Sequence, residues 1–127
     1  EEEGLSLLIE PINSQDIPGY FLNDFDQATD IIEELREECP ALQLQFDIYH
    51  CAKIHGDVVQ RMSNAERMTA HYQIAGVPDR HEPASDTLPL IEIYAAIERM
   101  HPDLWIGCEY RPAGATKDGL GWLPRER

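Results

Sequence analysis

The sequence predicts an α/β fold in which four parallel strands alternate with helices, half the complement of a (β/α)8 barrel. Three observations predict it. Four short apolar runs (Leu7-Leu8-Ile9-Glu10, Leu44-Gln45-Phe46-Asp47, His71-Tyr72-Gln73-Ile74-Ala75 and Trp105-Ile106-Gly107-Cys108-Glu109) each carry an oxygen-bearing side chain towards their C-terminal ends. The intervals between Glu10, Asp47, Gln73 and Glu109 are 37, 26 and 36 residues, about what one strand and one return helix require. The chain has 127 residues, enough for one domain over its whole length, against the roughly 250 of an eight-stranded barrel.

The first strand is expected over residues 5–12. Alternation puts Ser6, Leu8 and Glu10 on one side and Leu7 and Ile9 on the other. Pro11 fits only where ladder bonding ends. After a loop containing Pro18-Gly19, Asp24 is the N-cap of a helix over residues 25–38. Its apolar positions Ala28, Ile31, Ile32 and Leu35 keep helical spacing, and Pro40 stops it. The second strand covers residues 42–49. Leu42, Leu44, Phe46 and Ile48 face the helices, while Gln43, Gln45 and Asp47 face the barrel interior. Asp57 caps a second helix through Val58, Val59 and Met62. The third strand covers residues 70–77 and feeds a dense polar loop, Pro78-Asp79-Arg80-His81-Glu82-Pro83. Residues 88–100 form a third helix on Leu90, Ile91, Tyr94 and Ile97. The fourth strand covers residues 104–110, with Trp105, Gly107 and Glu109 inward, and residues 118–122 make a last helical turn before Pro124. Trp105 and Phe46 are expected in the core, and His55 and His101 in solvent.

The formal net charge is −14, from 24 acidic and 10 basic residues. Nucleic-acid binding is not expected, because neutralising phosphates needs clustered Lys and Arg. Glu1 to Glu3, Glu33, Glu34, Glu37 and Glu38 read as solvated charge. Cys39, Cys51 and Cys108 are odd in number and lack a CxxC spacing, so a reducing cytoplasm is expected rather than a disulfide framework. No run approaches the roughly 18 apolar residues of a membrane span, and no signal peptide is visible. The first strand starts so near Glu1 that the natural N-terminus is expected upstream.

Glu10 and Glu109 sit in otherwise apolar strands, and buried carboxylates are rare unless paired or bound to a metal. Together Glu10, Asp47, Gln73 and Glu109 supply oxygen ligands, the set a hard divalent cation such as Mg or Mn takes. His50 leaves the second strand towards the site mouth. Arg80 offers a fork for a substrate carboxylate or hydroxyl, and Glu82 lies in the same loop as a further substrate contact.

These residues carry a family resemblance. Leu8-Ile9-Glu10-Pro11-Ile12-Asn13, Asp16-Ile17-Pro18-Gly19-Tyr20-Phe21-Leu22, Leu44-Gln45-Phe46-Asp47-Ile48-Tyr49-His50, Gln73-Ile74-Ala75 with Arg80-His81-Glu82-Pro83, and Gly107-Cys108-Glu109-Tyr110 resemble the hydroxypyruvate isomerases of the xylose-isomerase-like barrel superfamily. The likeness runs over nearly the whole chain. It implies the C-terminal half of a (β/α)8 barrel, strands five to eight. It implies metal ligands at Glu10, Asp47, Gln73 and Glu109, a catalytic pair at Glu10 and Glu109, and substrate contacts at His50 and Arg80. The activity implied is isomerisation of hydroxypyruvate to tartronate semialdehyde by glutamate-mediated proton transfer through an enediolate. The chain departs from the family pattern at Gly76 and over Ala84-Ser85-Asp86-Thr87.

A keto-sugar epimerase or isomerase of the same superfamily is the alternative substrate class, and an inactive barrel fragment is the alternative to an enzyme. An apurinic-site endonuclease is disfavoured by the acidic balance and by the lack of several metal-binding histidines. The open first and last strands would need covering, so a homodimer is expected.

Overall fold

A computed structural model describes residues 4–84 and 86–123. Glu1 to Glu3 and Pro124, which the sequence reading treats as solvated charge and as a helix stop, lie outside the described residues. Strands β1 (Leu7–Ile9), β2 (Leu42–Asp47), β3 (Thr69–Ile74) and β4 (Ile106–Cys108) form one sheet in the order β1-β2-β3-β4, every pair parallel. Helices α1 (Phe25–Glu34), α2 (Ile48–Ile54), α3 (Val58–Asn64) and α4 (Leu90–Met100) fill the connections. The half-barrel expectation therefore holds in strand number, direction and order.

One face of the sheet is greasy and covered. Leu42, Leu44 and Phe46 from β2 and Tyr72 and Ile74 from β3 are buried against Phe25, Ala28, Ile32, Met62, Ile93 and Ile97 of the helices. Phe46 lies between two rings, Phe25 at 4.7 Å and Tyr72 at 5.9 Å. Burying such side chains stabilises by about 1.5–3 kcal/mol each. The opposite face carries Gln43, Gln45 and Asp47 of β2 and His71 and Gln73 of β3, by an alternation that an irregularity at Ala70 interrupts.

Asp24 caps α1 as expected, accepting from the backbone of Asp26 at 2.8 Å and Gln27 at 3.3 Å. The helix ends at Glu34 rather than Glu38, with Leu35 as its C-cap. Asp57 makes no side-chain cap; its carboxylate takes the Arg61 Nε instead, at 3.4 Å. The edge strands β1 and β4 are three residues each, shorter than expected, because each has a pairing partner on one side only.

The largest local correction is α2. Ile48 and Tyr49 continue the apolar pattern of β2 but belong to a seven-residue helix that begins at once after Asp47. Trp105 is also corrected: it precedes β4 and is 84 % exposed, not core. His101 leaves solvent for Tyr72, whose Oη lies 3.0 Å from its Nδ1. His55 packs edge-on to Phe25 at 5.9 Å. The expected last turn appears as two short 3-10 segments, Thr116–Asp118 and Leu120–Trp122.

Candidate active site

Parallel pairing brings the C-terminal ends of all four strands to one rim. Asp47 stands in register with Gln73, and Gln73 with Gly107. Glu10 follows Ile9 at the end of β1, and Glu109 follows Cys108 at the end of β4.

Asp47 closes β2 and opens α2. Its Oδ1 accepts from the backbone N–H of Tyr49 at 2.8 Å and of His50 at 3.4 Å, satisfying two free donors of the new helix. This leaves Oδ2 for the site. Arg80 Nη2 reaches that oxygen at 3.4 Å and Glu109 Oε2 at 3.0 Å, while Arg80 Nε donates to the Glu109 carbonyl at 3.3 Å. Arg80 holds this place with φ at 58°, a left-handed conformation that a non-glycine residue seldom adopts. Its guanidinium also lies over the Tyr49 ring, 5.0 Å from the centroid.

His50 is fully buried on the first turn of α2. Asn13 holds its ring: the backbone N and side-chain Nδ2 of Asn13 lie 3.2 Å and 2.8 Å from His50 Nδ1. A backbone N–H can only donate, so Nδ1 accepts and the ring proton sits on Nε2. Asn13 is itself locked, donating to Asp16 Oδ2 and accepting from the Asp16 N–H, both at 3.0 Å. Tyr49 Oη adds a bond to Asp16 Oδ2 at 2.6 Å, and Lys53 pairs with Oδ1 at 3.4 Å.

Burial, with the neighbouring carboxylates of Asp47 and Glu109, pushes the Glu10 carboxyl up to about 7. Burial also pushes Asp47 up to about 6, although Arg80 and the α2 backbone N–H groups pull it back. Burial and the nearby cations Arg80 and Lys53 push His50 down to about 4, so it is neutral at physiological pH.

Glu10, Asp47 and His50 each bring a ligand atom within 4.8 Å of the others. Among the described residues, Glu10 Oε1 and His50 Nε2 are buried without a hydrogen-bond partner. The unpartnered carboxylate oxygen and the converging acidic groups fit an oxygen-loving divalent cation. His50 fits it less well than its position suggests. A protonated Nε2 cannot ligate a metal, so this side chain presents an N–H to an incoming oxygen.

The structure links Gln73 to Glu10 by two hydrogen bonds through Gln45, which lies on the same face of the sheet. Glu109 joins through Arg80. Glu82 is not brought to this cluster. Its Oε2 accepts from the Ala113 N–H at 3.1 Å, and it packs against Gly119, where an added Cβ would lie 2.2 Å from its Oε1. It pins the loop after β4. Gly76 meets the same segment: a Cβ there would lie 2.3 Å from the Glu82 carbonyl oxygen, which accounts for a glycine at that position. A 470 Å³ opening lined by Asp16, Tyr49, Lys53, Arg80 and Arg111 adjoins the cluster. Sequence reasoning missed Asn13 and Gln45. For Gln45 the signal was present, since it shares the parity of Asp47.

A parallel α/β sheet that gathers its carboxylates at the C-terminal rim has the layout of a barrel enzyme. The chain belongs to the xylose isomerase-like TIM-barrel family, whose profile matches residues 1–126. A 2-oxo-tetronate isomerase of Cupriavidus necator is 45 % identical over 121 residues, covering 95 % of this chain and 46 % of the relative. A hydroxypyruvate isomerase of Escherichia coli is 37 % identical over 122 residues, with coverage of 96 % and 46 %. The crystal structure titled AP endonuclease, family 2, from Brucella melitensis superposes with a TM-score of 0.89 at 34 % identity, over 95 % of this chain and 46 % of that one. The chain thus spans about half the length of the curated relatives it matches.

Proposed function

We propose that this chain carries the acid–base and cation-binding rim of an isomerase acting on a small 2-oxo hydroxy acid, hydroxypyruvate to tartronate semialdehyde. The observation that carries the reading is the convergence of Glu10 and Asp47, with Glu109 tied in by Arg80, at the C-terminal ends of parallel strands. Glu10, Asp47, Gln73 and Glu109 would hold a divalent cation, Mg or Mn, and when bound it supplies a Lewis acid for a substrate carbonyl. Without the cation, burial and the neighbouring carboxylates push Glu10 up to about 7; a bound cation would bring it down and leave the carboxylate that a general base needs. Glu10 and Glu109 share the transfer: one takes the proton from the hydroxymethyl carbon, the other, protonated, returns one to the former carbonyl carbon, and through the enediolate the hydroxyl proton passes from the terminal oxygen to the former carbonyl oxygen. His50 Nε2–H donates to a substrate oxygen. Arg80 Nη1, with no hydrogen bond among the described residues, receives the substrate carboxylate.

The name of the 45 %-identical relative favours a second substrate, a four-carbon 2-oxo acid. An endonuclease reading gains nothing from the charge, since a chain at −14 offers no cationic footprint for a phosphate backbone. Among the described residues no helix is long and apolar enough to cross a membrane. Separately, the free thiols of Cys39, Cys51 and Cys108 support a reducing compartment such as the cytoplasm as part of the proposal. A second copy would cover the bare edges, where Leu7 of β1 is 59 % exposed; light scattering should give twice the chain mass.

The test is a substrate panel of hydroxypyruvate, 2-oxo-tetronate and a keto-sugar, each assayed with Mn2+ and with excess chelator. Turnover of an acid, abolished by chelator, is expected. Preference for the keto-sugar would move the protein to the epimerases, and full turnover in chelator would remove the cation.

A further inference from the structure

Gln45 sits on β2 two residues before Asp47, on the face away from the helices and half-buried. Its Nε2 donates to Glu10 Oε2 at 2.7 Å and to Gln73 Oε1 at 2.6 Å. One primary amide has two N–H hydrogens, so both bonds form at once and exhaust the group. The bridge spans three strands, from the end of β1 across β2 to β3.

The direction of this bridge follows from the chemistry of its ends. An ionised Glu10 can only accept, so it selects the NH2 end of Gln45 rather than its carbonyl. The second hydrogen of that NH2 then needs an acceptor on β3. Of the two ends of the Gln73 amide, only the carbonyl qualifies. The charge on Glu10 is thereby read across to Gln73 and fixes which end of that amide lies beside the acidic cluster. Without the bridge, the Gln73 amide could turn over, and its NH2 would face a cation with the wrong polarity. The two bonded oxygens lie within 2.7 Å of one nitrogen. They are held close together, while Glu10 Oε1 stays buried and unpartnered.

We propose that Gln45 is a positioning residue for the cation site: it draws the Gln73 oxygen and one Glu10 oxygen together and leaves the other Glu10 oxygen to the ion. The proposal rests on the cation reading of the site given above and adds a residue which that reading does not contain. Groups that orient metal ligands without touching the metal typically matter 10–100-fold in affinity.

The test is Mn2+ titration of the full chain, read by the paramagnetic signal of free Mn2+, with no turnover required. Gln45→Met keeps length and removes both donors, and should weaken Mn2+ binding by about 10–100-fold. Gln45→Ala is the second variant and should give the same loss; because the side chain faces the open side of the sheet, thermal unfolding without Mn2+ should move little in either. The decisive arm is Gln73→Glu. A carboxylate offers oxygen from either end, so in that background Gln45→Met should cost clearly less. A wild-type chain that takes up no Mn2+ would overturn the cation reading and this proposal together. Binding by the wild type that Gln45→Met leaves unchanged, or an equal loss in both Gln73 backgrounds, would overturn the role of Gln45 alone.

Discussion

His50 shows how much chemistry one hydrogen bond decides. Its ring is buried and neutral, and the two Asn13 donors at Nδ1 put its proton on Nε2, 3.9 Å from Asp47 Oδ2. Asn13→Ala removes the Nδ2 donor but keeps the backbone N–H, which still holds Nδ1 as an acceptor. It should therefore destabilise the fold by about 1–3 kcal/mol, the cost of leaving buried polar groups unpaired, while the 15N shifts of His50 still report a proton on Nε2. Shifts of an Nδ1-protonated ring would mean that the backbone contact does not set the proton. Asn13 ends the first family-like run, but nothing in the sequence pointed to this role, because its partner lies 37 residues away and a loop asparagine after a strand is ordinary. His50 itself was legible as a candidate through Asp47 three residues earlier and through the family resemblance; its complete burial was not, since the helix that buries it, Ile48–Ile54, was read as the end of a strand and a loop. Glu109 offers the contrasting case. Its carboxylate is 54 % exposed and bonded to Arg80, so Glu109→Gln should spare the melting temperature. If it moves a proton, turnover should fall by about 10²–10⁴-fold; turnover within a factor of two of wild type would take it out of the reaction.

At the scale of elements, the junction of β2 and α2 explains both what the sequence displays and what it conceals. Alternation along β2 is complete, so Leu42, Leu44 and Phe46 were legible as core and Gln45 and Asp47 as the opposite face. Ile48 and Tyr49 prolong that alternation, and seven residues are too few for a 3.6-residue period to assert itself. The helix is announced instead by Asp47, whose carboxylate serves the cap with one oxygen and the site with the other. The edge strands were overcalled for a related reason: apolar pattern persists beyond the point where a neighbour exists to pair with. The two duties of Asp47 can be separated. Asn retains an oxygen for the cap and loses the charge; Ala loses both. At pH 8 the buried carboxylate is ionised against its preference, because burial has pushed it up to about 6. Asp47→Asn should therefore melt at or above the wild-type temperature, whereas Asp47→Ala should fall about 0.5–2 kcal/mol below Asp47→Asn. Denaturant unfolding at pH 8 distinguishes them, and equal stabilities would mean that the carboxylate caps nothing. Both variants should lose Mn2+ affinity.

Over the whole molecule, the acidic rim makes stability depend on pH in opposite senses on its two sides. Glu10 and Asp47 are both raised, to about 7 and about 6 from ordinary values of 4.5 and 3.8. A raised carboxyl binds its proton more tightly in the folded chain than in the unfolded one. Its contribution is fully present below the ordinary value and is lost as pH climbs through 6 and 7. His50 is lowered to about 4 from 6.5, so its contribution is present above 6.5 and is lost as pH falls towards 4. The two losses meet between them, and the chain should be more stable near pH 5.5 than at pH 8, where both carboxyls are ionised at close quarters. The excess of 24 acidic over 10 basic residues adds repulsion in the same direction. A divalent cation acts on the same balance with opposite sign, since it binds the ionised pair and competes with its protons. Mn2+ at a hundred times its dissociation constant would add about 2.7 kcal/mol. The expected pattern is a large rise in melting temperature with Mn2+ at pH 8 and a small one at pH 5.5, so that metal narrows or reverses the gap between the two. Thermal melts at both pH values, with Mn2+ and with chelator, read it directly. A rise of equal size at both would mean that Mn2+ binds away from Glu10 and Asp47, and the carboxylates at the strand ends would then need another cation, Arg80 alone, to account for their convergence.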